Sequence, residues 1–258
     1  MVLFKTLTYS QKIVLGFILL GLIGTILLAL PISSKTGNWT PLLDSLFTSI
    51  SALCVTGLTV YDTFTHWSFL GQLVILCLIQ VGGIGFMTVI ISISTGLGHK
   101  IGLHERQLLV ESSGLLHSAN LSLLVKRITI FVIMIEAAGA ALLSIRFIPE
   151  FGIKTGIYYG VFHSISAFCN AGFDLMGRFG KYSSLTPYST DSLVILTISI
   201  LIFLGGLGFI VWDDILRYKL NFKKYSLHTK IVLITSIALP LVGSILFLLI
   251  ENTHIFKD

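Results

Sequence analysis

The chain has 258 residues, 17 of them Lys or Arg and 12 Asp or Glu, so charged residues make up 11%, less than half the roughly 25% of soluble domains. Hydrophobic residues reach 54% and mean hydropathy is +0.94. These values exclude a water-soluble globular enzyme and a disordered chain, and they make a lipid bilayer the solvent for most of the sequence. The net charge of +5 does not point to nucleic acid, because the basic residues flank apolar runs rather than forming one dense patch.

The N-terminal stretch carries Lys5 and Lys12 ahead of an apolar run of about 20 residues with no small-residue cleavage site, which predicts a retained helix and not a signal peptide. Five segments are long enough to cross a hydrocarbon core of about 30 Å at 1.5 Å per residue: 12–30, 69–93, 128–148, 192–212 and 231–250. Two further apolar segments, 41–53 and 155–168, are each only about 20 Å long as helices, the length of re-entrant half-helices. Each lies between two long segments and is followed by an irregular Gly-containing stretch, which a membrane tolerates only inside protein or against a water-filled cavity.

Eleven basic residues fall on one side of this arrangement, in the N-terminus and the loops after the second and fourth spans, against six on the other. The enrichment of Lys and Arg in cytoplasmic loops then predicts a cytosolic N-terminus, with the short segments entering and leaving from outside. The stretch 100–126 is amphipathic and predicts a helix along the cytosolic face, either solvated or docking a partner.

The most specific feature is self-similarity. Phe47-Thr-Ser-Ile-Ser-Ala-Leu-Cys-Val-Thr-Gly57 aligns without a gap to Phe162-His-Ser-Ile-Ser-Ala-Phe-Cys-Asn-Ala-Gly172, with seven of eleven positions identical at an offset of 115. Gly82-Gly-Ile-Gly-Phe86 matches Gly205-Gly-Leu-Gly-Phe209 at an offset of 123, and Lys12-Ile-Val-Leu15 reappears as Lys230-Ile-Val-Leu233. The expected fold is therefore an all-α integral membrane protein. It is built from repeated units of membrane helix, pore half-helix, filter turn and membrane helix, two complete and a third started. The boundaries are 1–95 for the first repeat, 96–127 for a cytosolic amphipathic linker, 128–213 for the second repeat, 214–229 for a basic cytosolic loop and 230–258 for the first span of a third. Copies of the same topology are parallel repeats about an axis along the membrane normal.

Such a unit suits cation passage. A half-helix ending inside the membrane presents the negative end of its dipole there, and the following turn can expose successive backbone carbonyls that replace the hydration shell of a monovalent cation. The turns Cys54–Thr59 and Cys169–Phe173 contain no charged side chain, and Gly57 and Gly172 allow backbone conformations closed to other residues. For Gly82, Gly83, Gly85, Gly205, Gly206 and Gly208, close helix packing is the expected role, with a hinge as the alternative.

At FTSISALCVTGLTVYD and FHSISAFCNAGFDL the chain resembles the Trk/Ktr/HKT superfamily of potassium-uptake proteins, most closely the bacterial Ktr-type membrane subunit. The resemblance implies potassium uptake across the cell membrane through a carbonyl-lined selectivity filter. It also implies four such units around one pore, a homodimer in the bilayer, and a cytosolic nucleotide-binding ring as regulator. It implies that Val55, Thr56 and Gly57 line the first filter and Asn170, Ala171 and Gly172 the second, with K⁺ as the transported ion and Na⁺ as a further ion. Gly at position 57 goes with K⁺ permeation and Ser there with Na⁺ preference. Two filters where the family has four imply an N-terminal portion of a longer protein, or two copies completing one pore. The expectation is that this chain alone does not conduct.

Asp62 and Asp174 follow the two turns, where they would either concentrate cations at the pore mouth or cap helix starts. Glu136 and Gln80 fall within spans, and an ionisable group there is a candidate either for an ion path or for bracing backbone. Asp213 and Asp214 are expected to be solvated. His163 lacks a second His at helical spacing, so metal or haem ligation is not expected, and no cofactor is called for. Cys54, Cys77 and Cys169 lack ligand spacing and are expected to be unpaired packing residues. Asn38-Trp-Thr40 matches a glycosylation sequon, a pattern too short to weigh much. The competing functions are a non-conducting structural subunit and an intramembrane hydrolase using Ser164 or Ser166 with His163; Thr48 stands in the place of that His in the other copy.

Overall fold

The computed structural model describes residues 8–85, 88, 121–219 and 221–251. Among the described residues the protein is all α, with a single isolated bridge between Ser34 and Trp67 in place of any strand. The helices in chain order are α1 (Tyr9–Ala29), α2 (Leu42–Leu53), α3 (Thr63–His66), α4 (Phe69–Ile84), α5 (Leu121–Phe151), α6 (Ile153–Phe168), α7 (Ser192–Gly206), α8 (Phe209–Tyr218) and α9 (Leu227–Glu251). Three stretches are long and apolar enough to cross a bilayer, Ser10–Ala29, Lys126–Phe151 and Leu227–Ile250. The protein is thus a multi-pass membrane protein.

The chain divides into two units, Met1–Gly206 and Leu207–Asp258. In the first, α1 packs on α2, α2 on α4, and α4 also meets α1 and α6, while α5, α6 and α7 pack pairwise on one another. A capping box opens α1, with Thr8 Oγ1 accepting from Gln11 N and Gln11 Oε1 from Thr8 N. Polar bonds in an apolar setting fix how the short helices dock. Ser49 Oγ of α2 donates to Gly21 O of α1 (2.8 Å), and Ser164 Oγ of α6 donates to Glu136 O of α5 (2.7 Å). These pairs carry the same offset of 115 as the sequence motif.

Small residues let the backbones close in. A Cβ on Gly139 would stand 2.6 Å from Ser164 Oγ and 2.7 Å from Leu201 Cδ1, and one on Gly24 would overlap Ser49 Oγ. A Cβ on Gly82 would overlap the carbonyl oxygen of Leu53, and one on Gly205 that of Phe168. So α4 and α7 each press bare backbone onto the last residue of a short helix.

The Gly-Gly-x-Gly motifs do more than pack. The sequence predicts unbroken spans over 69–93 and 192–212, but α4 stops at Ile84 with Gly85 at φ +85, and α7 stops at Gly206 with Gly208 at φ +81 as the N-cap of α8. The cause is local: the third glycine adopts a left-handed conformation that ends the hydrogen-bond ladder. Each motif therefore divides its labour, the first glycine packing and the third terminating. The expected cytosolic helix over 100–126 lies outside the described residues except at its end, where α5 begins at Leu121, ahead of the predicted start at Ile128.

In the second unit the Asp214 carboxylate accepts from Ser226 N (2.9 Å), Ser226 Oγ (2.7 Å) and Thr229 Oγ1 (2.6 Å). Asp214 therefore ties the start of α9 to α8, where the sequence predicts a solvated residue. Asp213 pairs with Arg217 at 3.2 Å, and the Tyr225 hydroxyl donates to Lys219 O.

Candidate functional site

Both short helices end the same way. After α2, Val55 N donates to Ala52 O (3.3 Å) and Thr56 N to Ser51 O (2.9 Å); after α6, Asn170 N donates to Ala167 O (3.0 Å) and Ala171 N to Ser166 O (2.8 Å). This is the paired bonding of a Schellman motif, which requires a left-handed residue just past the cap. Val55 (φ 55) and Asn170 (φ 59) occupy that position. Asn accepts the conformation readily, whereas β-branched Val is an outlier there and stores strain of about 1–3 kcal/mol. Two residues on, Gly57 (φ 73) and Gly172 (φ 74) are left-handed again.

These reversals carry the backbone away from the helix with its carbonyls unspent. Among the described residues, no donor reaches the carbonyl oxygens of Val55, Thr56, Gly57, Asn170, Ala171 or Gly172. The next carbonyl is taken in both copies: Ser51 Oγ donates to Leu58 O (2.7 Å) and Ser166 Oγ to Phe173 O (2.6 Å). In the first turn Thr56 Oγ1 lies 2.8 Å from Ser51 Oγ. The Ser51 proton is committed to Leu58 O, so the Thr56 hydroxyl is the donor. Ala171 offers no such group in the second turn.

The two turns converge. A Cβ on Gly57 would stand 2.5 Å from Ala171 O and 3.5 Å from Gly172 Cα, and one on Gly172 would stand 3.7 Å from Gly57 Cα. The structure thus brings Gly57 of the first turn against Ala171 and Gly172 of the second, from two distant parts of the chain, as neutral backbone.

The flanking acids are engaged locally. Asp62 is buried, N-caps α3 by accepting from Thr65 N (2.7 Å), and accepts from Tyr182 N (3.0 Å), so it joins the two connections that follow the turns. Gly177 packs so tightly on this carboxylate that a Cβ there would overlap it. Asp174 accepts from Met176 N (2.8 Å) and, with His163, Asn170, Gly172 and Phe173, lines a cavity of about 210 Å³. Burial pushes the Asp174 carboxyl above its ordinary range, opposed by the Met176 N–H and reinforced by the nearby Asp62 charge.

His163 is fully enclosed. Leu175 N donates to its Nε2 (3.2 Å), which makes Nε2 the acceptor and Nδ1 the protonated nitrogen, donating to Tyr159 O (2.7 Å). The ring therefore braces the exit of the second turn. Ser164 and Ser166 direct their protons to Glu136 O and Phe173 O, not to His163. Gln80 Nε2 donates to both carboxylate oxygens of Glu136 (3.0 and 2.9 Å), and Cys169 Sγ lies 4.0 Å from Gln80 Oε1. Glu136 thus braces α4 against α5 behind the second turn.

Sequence reasoning singled out the turns and weighed Ser166 only as a hydrolase nucleophile; it gave Ser51 and Ser166 no part in the turns, although both stand at identical places in the repeated motif. The link from Asp62 to Tyr182 has no signal in the sequence, because it joins loops 120 residues apart.

Residues 3–249 match the model of the TrkH family, described as a cation transport protein. The chain belongs to this family. It is 44% identical over 248 residues to the potassium/sodium uptake protein NtpJ of Enterococcus hirae, covering 96% of this chain and 54% of that protein. It is 42% identical over 248 residues to the Ktr system potassium uptake protein B of Bacillus subtilis (96% and 54%). It is 41% identical over 241 residues to the protein of the same name in Vibrio alginolyticus (93% and 51%). The chain spans about half the length of these curated relatives.

Proposed function

We propose that this chain supplies two walls of a pore for K⁺ uptake across the cell membrane, with Val55, Thr56, Gly57, Asn170, Ala171 and Gly172 as ion-facing filter residues. The observation that carries this reading is the convergence of the two turns through bare backbone, with six carbonyls that no donor among the described residues uses. A desolvated K⁺ needs several neutral oxygen ligands at once, and unspent carbonyls at the negative ends of two helices meet that need without a charged side chain. The names of the relatives, potassium or potassium/sodium uptake proteins, support K⁺ as the main ion and leave Na⁺ as a second.

In this reading ion movement is passive and driven by the electrochemical gradient. The N-terminus is cytosolic, the turns open toward the outside, and Asp62 and Asp174 stand at the mouth, where their charge would attract cations. The polypeptide would be organised as membrane helix, pore half-helix, turn and membrane helix, used twice within 1–95 and 128–213, with a third unit beginning at 230. A homodimer and a cytosolic nucleotide-binding ring are the expected partners, and the relatives named as part of a Ktr system support a multicomponent assembly.

The test is K⁺ uptake in cells lacking their own uptake systems, with the protein that carries this chain. Parent protein should restore growth at low K⁺, and Gly57→Ser should lower the preference for K⁺ over Na⁺. Uptake with unchanged selectivity in that variant would remove the first turn from the filter; absence of cation flux would overturn the pore itself.

A further inference from the structure

Every backbone carbonyl in a filter turn must either face the ion path or find a donor, because an unpaired one inside a membrane is costly. In both turns the free row ends at the same place. Gly57 O and Gly172 O have no donor among the described residues, while Leu58 O and Phe173 O each accept a serine hydroxyl, at 2.7 and 2.6 Å. Ser51 and Ser166 are both buried and both bind the turn twice. Their carbonyls accept the amide of Thr56 or Ala171, and their hydroxyls take the carbonyl seven residues on. The loop between is thus closed on the half-helix like a buckle.

We infer that Ser51 and Ser166 are positioning residues that set the outer limit of the ion-binding carbonyl row, by withholding Leu58 O and Phe173 O from the ion. The inference rests on the proposed pore and adds to it which carbonyls are excluded from ligation. Two independent copies carry it, and they differ elsewhere: Thr56 donates to Ser51 in one turn, and Ala171 leaves Ser166 without that extra bond in the other. With the hydroxyl gone, the released carbonyl would turn to the nearest cation or water in the pore and add a ligand above the Gly57 and Gly172 level. The number and field of carbonyl ligands govern discrimination between K⁺ and Na⁺, so the change falls on selectivity.

The experiment compares K⁺/Na⁺ permeability ratios in proteoliposomes for the protein that carries this chain. Ser51→Ala and Ser166→Ala should each lower the ratio by roughly fivefold, the factor that one neutral hydrogen bond contributes to an equilibrium. Ser49→Ala and Ser164→Ala lose the same chemical group from the same helices, but their bonds run to Gly21 O of α1 and Glu136 O of α5 and engage no turn carbonyl, so the ratio should stay at the parent value. Ser51→Thr, which keeps the donor, should retain it as well. Parent-like ratios in both Ser51→Ala and Ser166→Ala, or an equal fall in the Ser49 and Ser164 variants, would overturn the inference while the Gly57→Ser effect still supports the pore. If Gly57→Ser is also silent, the pore reading itself is what fails. A measurement on unsubstituted protein covers variants that do not fold. The infrared band of a ¹³C-labelled carbonyl at Gly57 should move when K⁺ is exchanged for Na⁺, and the band of one at Leu58 should not; movement at Leu58 would overturn the inference.

Discussion

Gly57 and Ala171 meet through backbone alone: a side chain on the first would begin 2.5 Å from the carbonyl oxygen of the second. Their contact brings two separated segments of the chain together. It also ranks the two glycines. Gly57→Ala must both force a left-handed alanine and displace Ala171 O, whereas Gly172→Ala meets nothing closer than Gly57 Cα at 3.7 Å and incurs only the conformational cost of about 1–2 kcal/mol. Gly57→Ala should therefore lower both thermal stability and K⁺/Na⁺ selectivity more than Gly172→Ala. Equal effects in unfolding and permeability assays would argue against this contact.

Val55 pays a conformational penalty that Asn170, in the matching position, does not. Val55→Asn should raise stability by about 1 kcal/mol, because Asn tolerates the left-handed region and keeps the amide that bonds Ala52 O. Thermal unfolding of the detergent-solubilised protein is the readout. A fall in midpoint would mean that packing of the Val55 side chain outweighs its backbone strain.

Gln80 and Glu136 form a polar pair across two helices in apolar surroundings, and each depends on the other. Gln80→Leu leaves a carboxylate without its donor and Glu136→Leu leaves an amide without its acceptor, so each alone should destabilise by about 1–3 kcal/mol. The double variant removes both polar groups and should fall short of the sum by about 1 kcal/mol or more. Additive losses in the four-way comparison would show that the two side chains act separately.

His66 gives the connection between α2 and α4 a pH dependence. Its ring stacks on Tyr61 at 4.0 Å, and its Nε2 lies 3.2 Å from Thr40 Oγ1. Burial lowers its pKa from the ordinary value, with the Asp44 charge opposing. The unfolded chain then binds this proton more readily than the folded one, so the stability it contributes is present above the ordinary histidine pKa and is lost as pH falls through that range. The unfolding midpoint of the parent should drop between pH 7.5 and 5.5 more than that of His66→Gln. Parallel curves would assign the pH dependence to other groups.

The two short helices and the turns after them were legible because their signals are local and written twice. Length marked α2 and α6 as too short to span, and the repeated Phe-x-Ser-Ile-Ser-Ala-x-Cys run located their ends. What escaped was of two kinds. Gly85 and Gly208 end helices in runs whose hydropathy is unbroken, and hydropathy does not register a change in φ. Asp62, His163 and Glu136 were visible as polar residues in unusual places, but their partners (Tyr182 N, Leu175 N and Gln80) are set by packing between distant segments. Two of those partners are backbone amides, which carry no residue identity to search for.

Encoding both turns in one polypeptide also frees them from each other. In a ring of identical subunits every substitution alters all walls at once. Here Thr56 can gain or lose its hydroxyl while Ala171 stays as it is, and Val55 can relax while Asn170 is untouched. In the proposed pore, an ion at the level of Gly57 and Gly172 would sit in an electric field with no required symmetry, and its preference for one cation over another could be retuned one wall at a time.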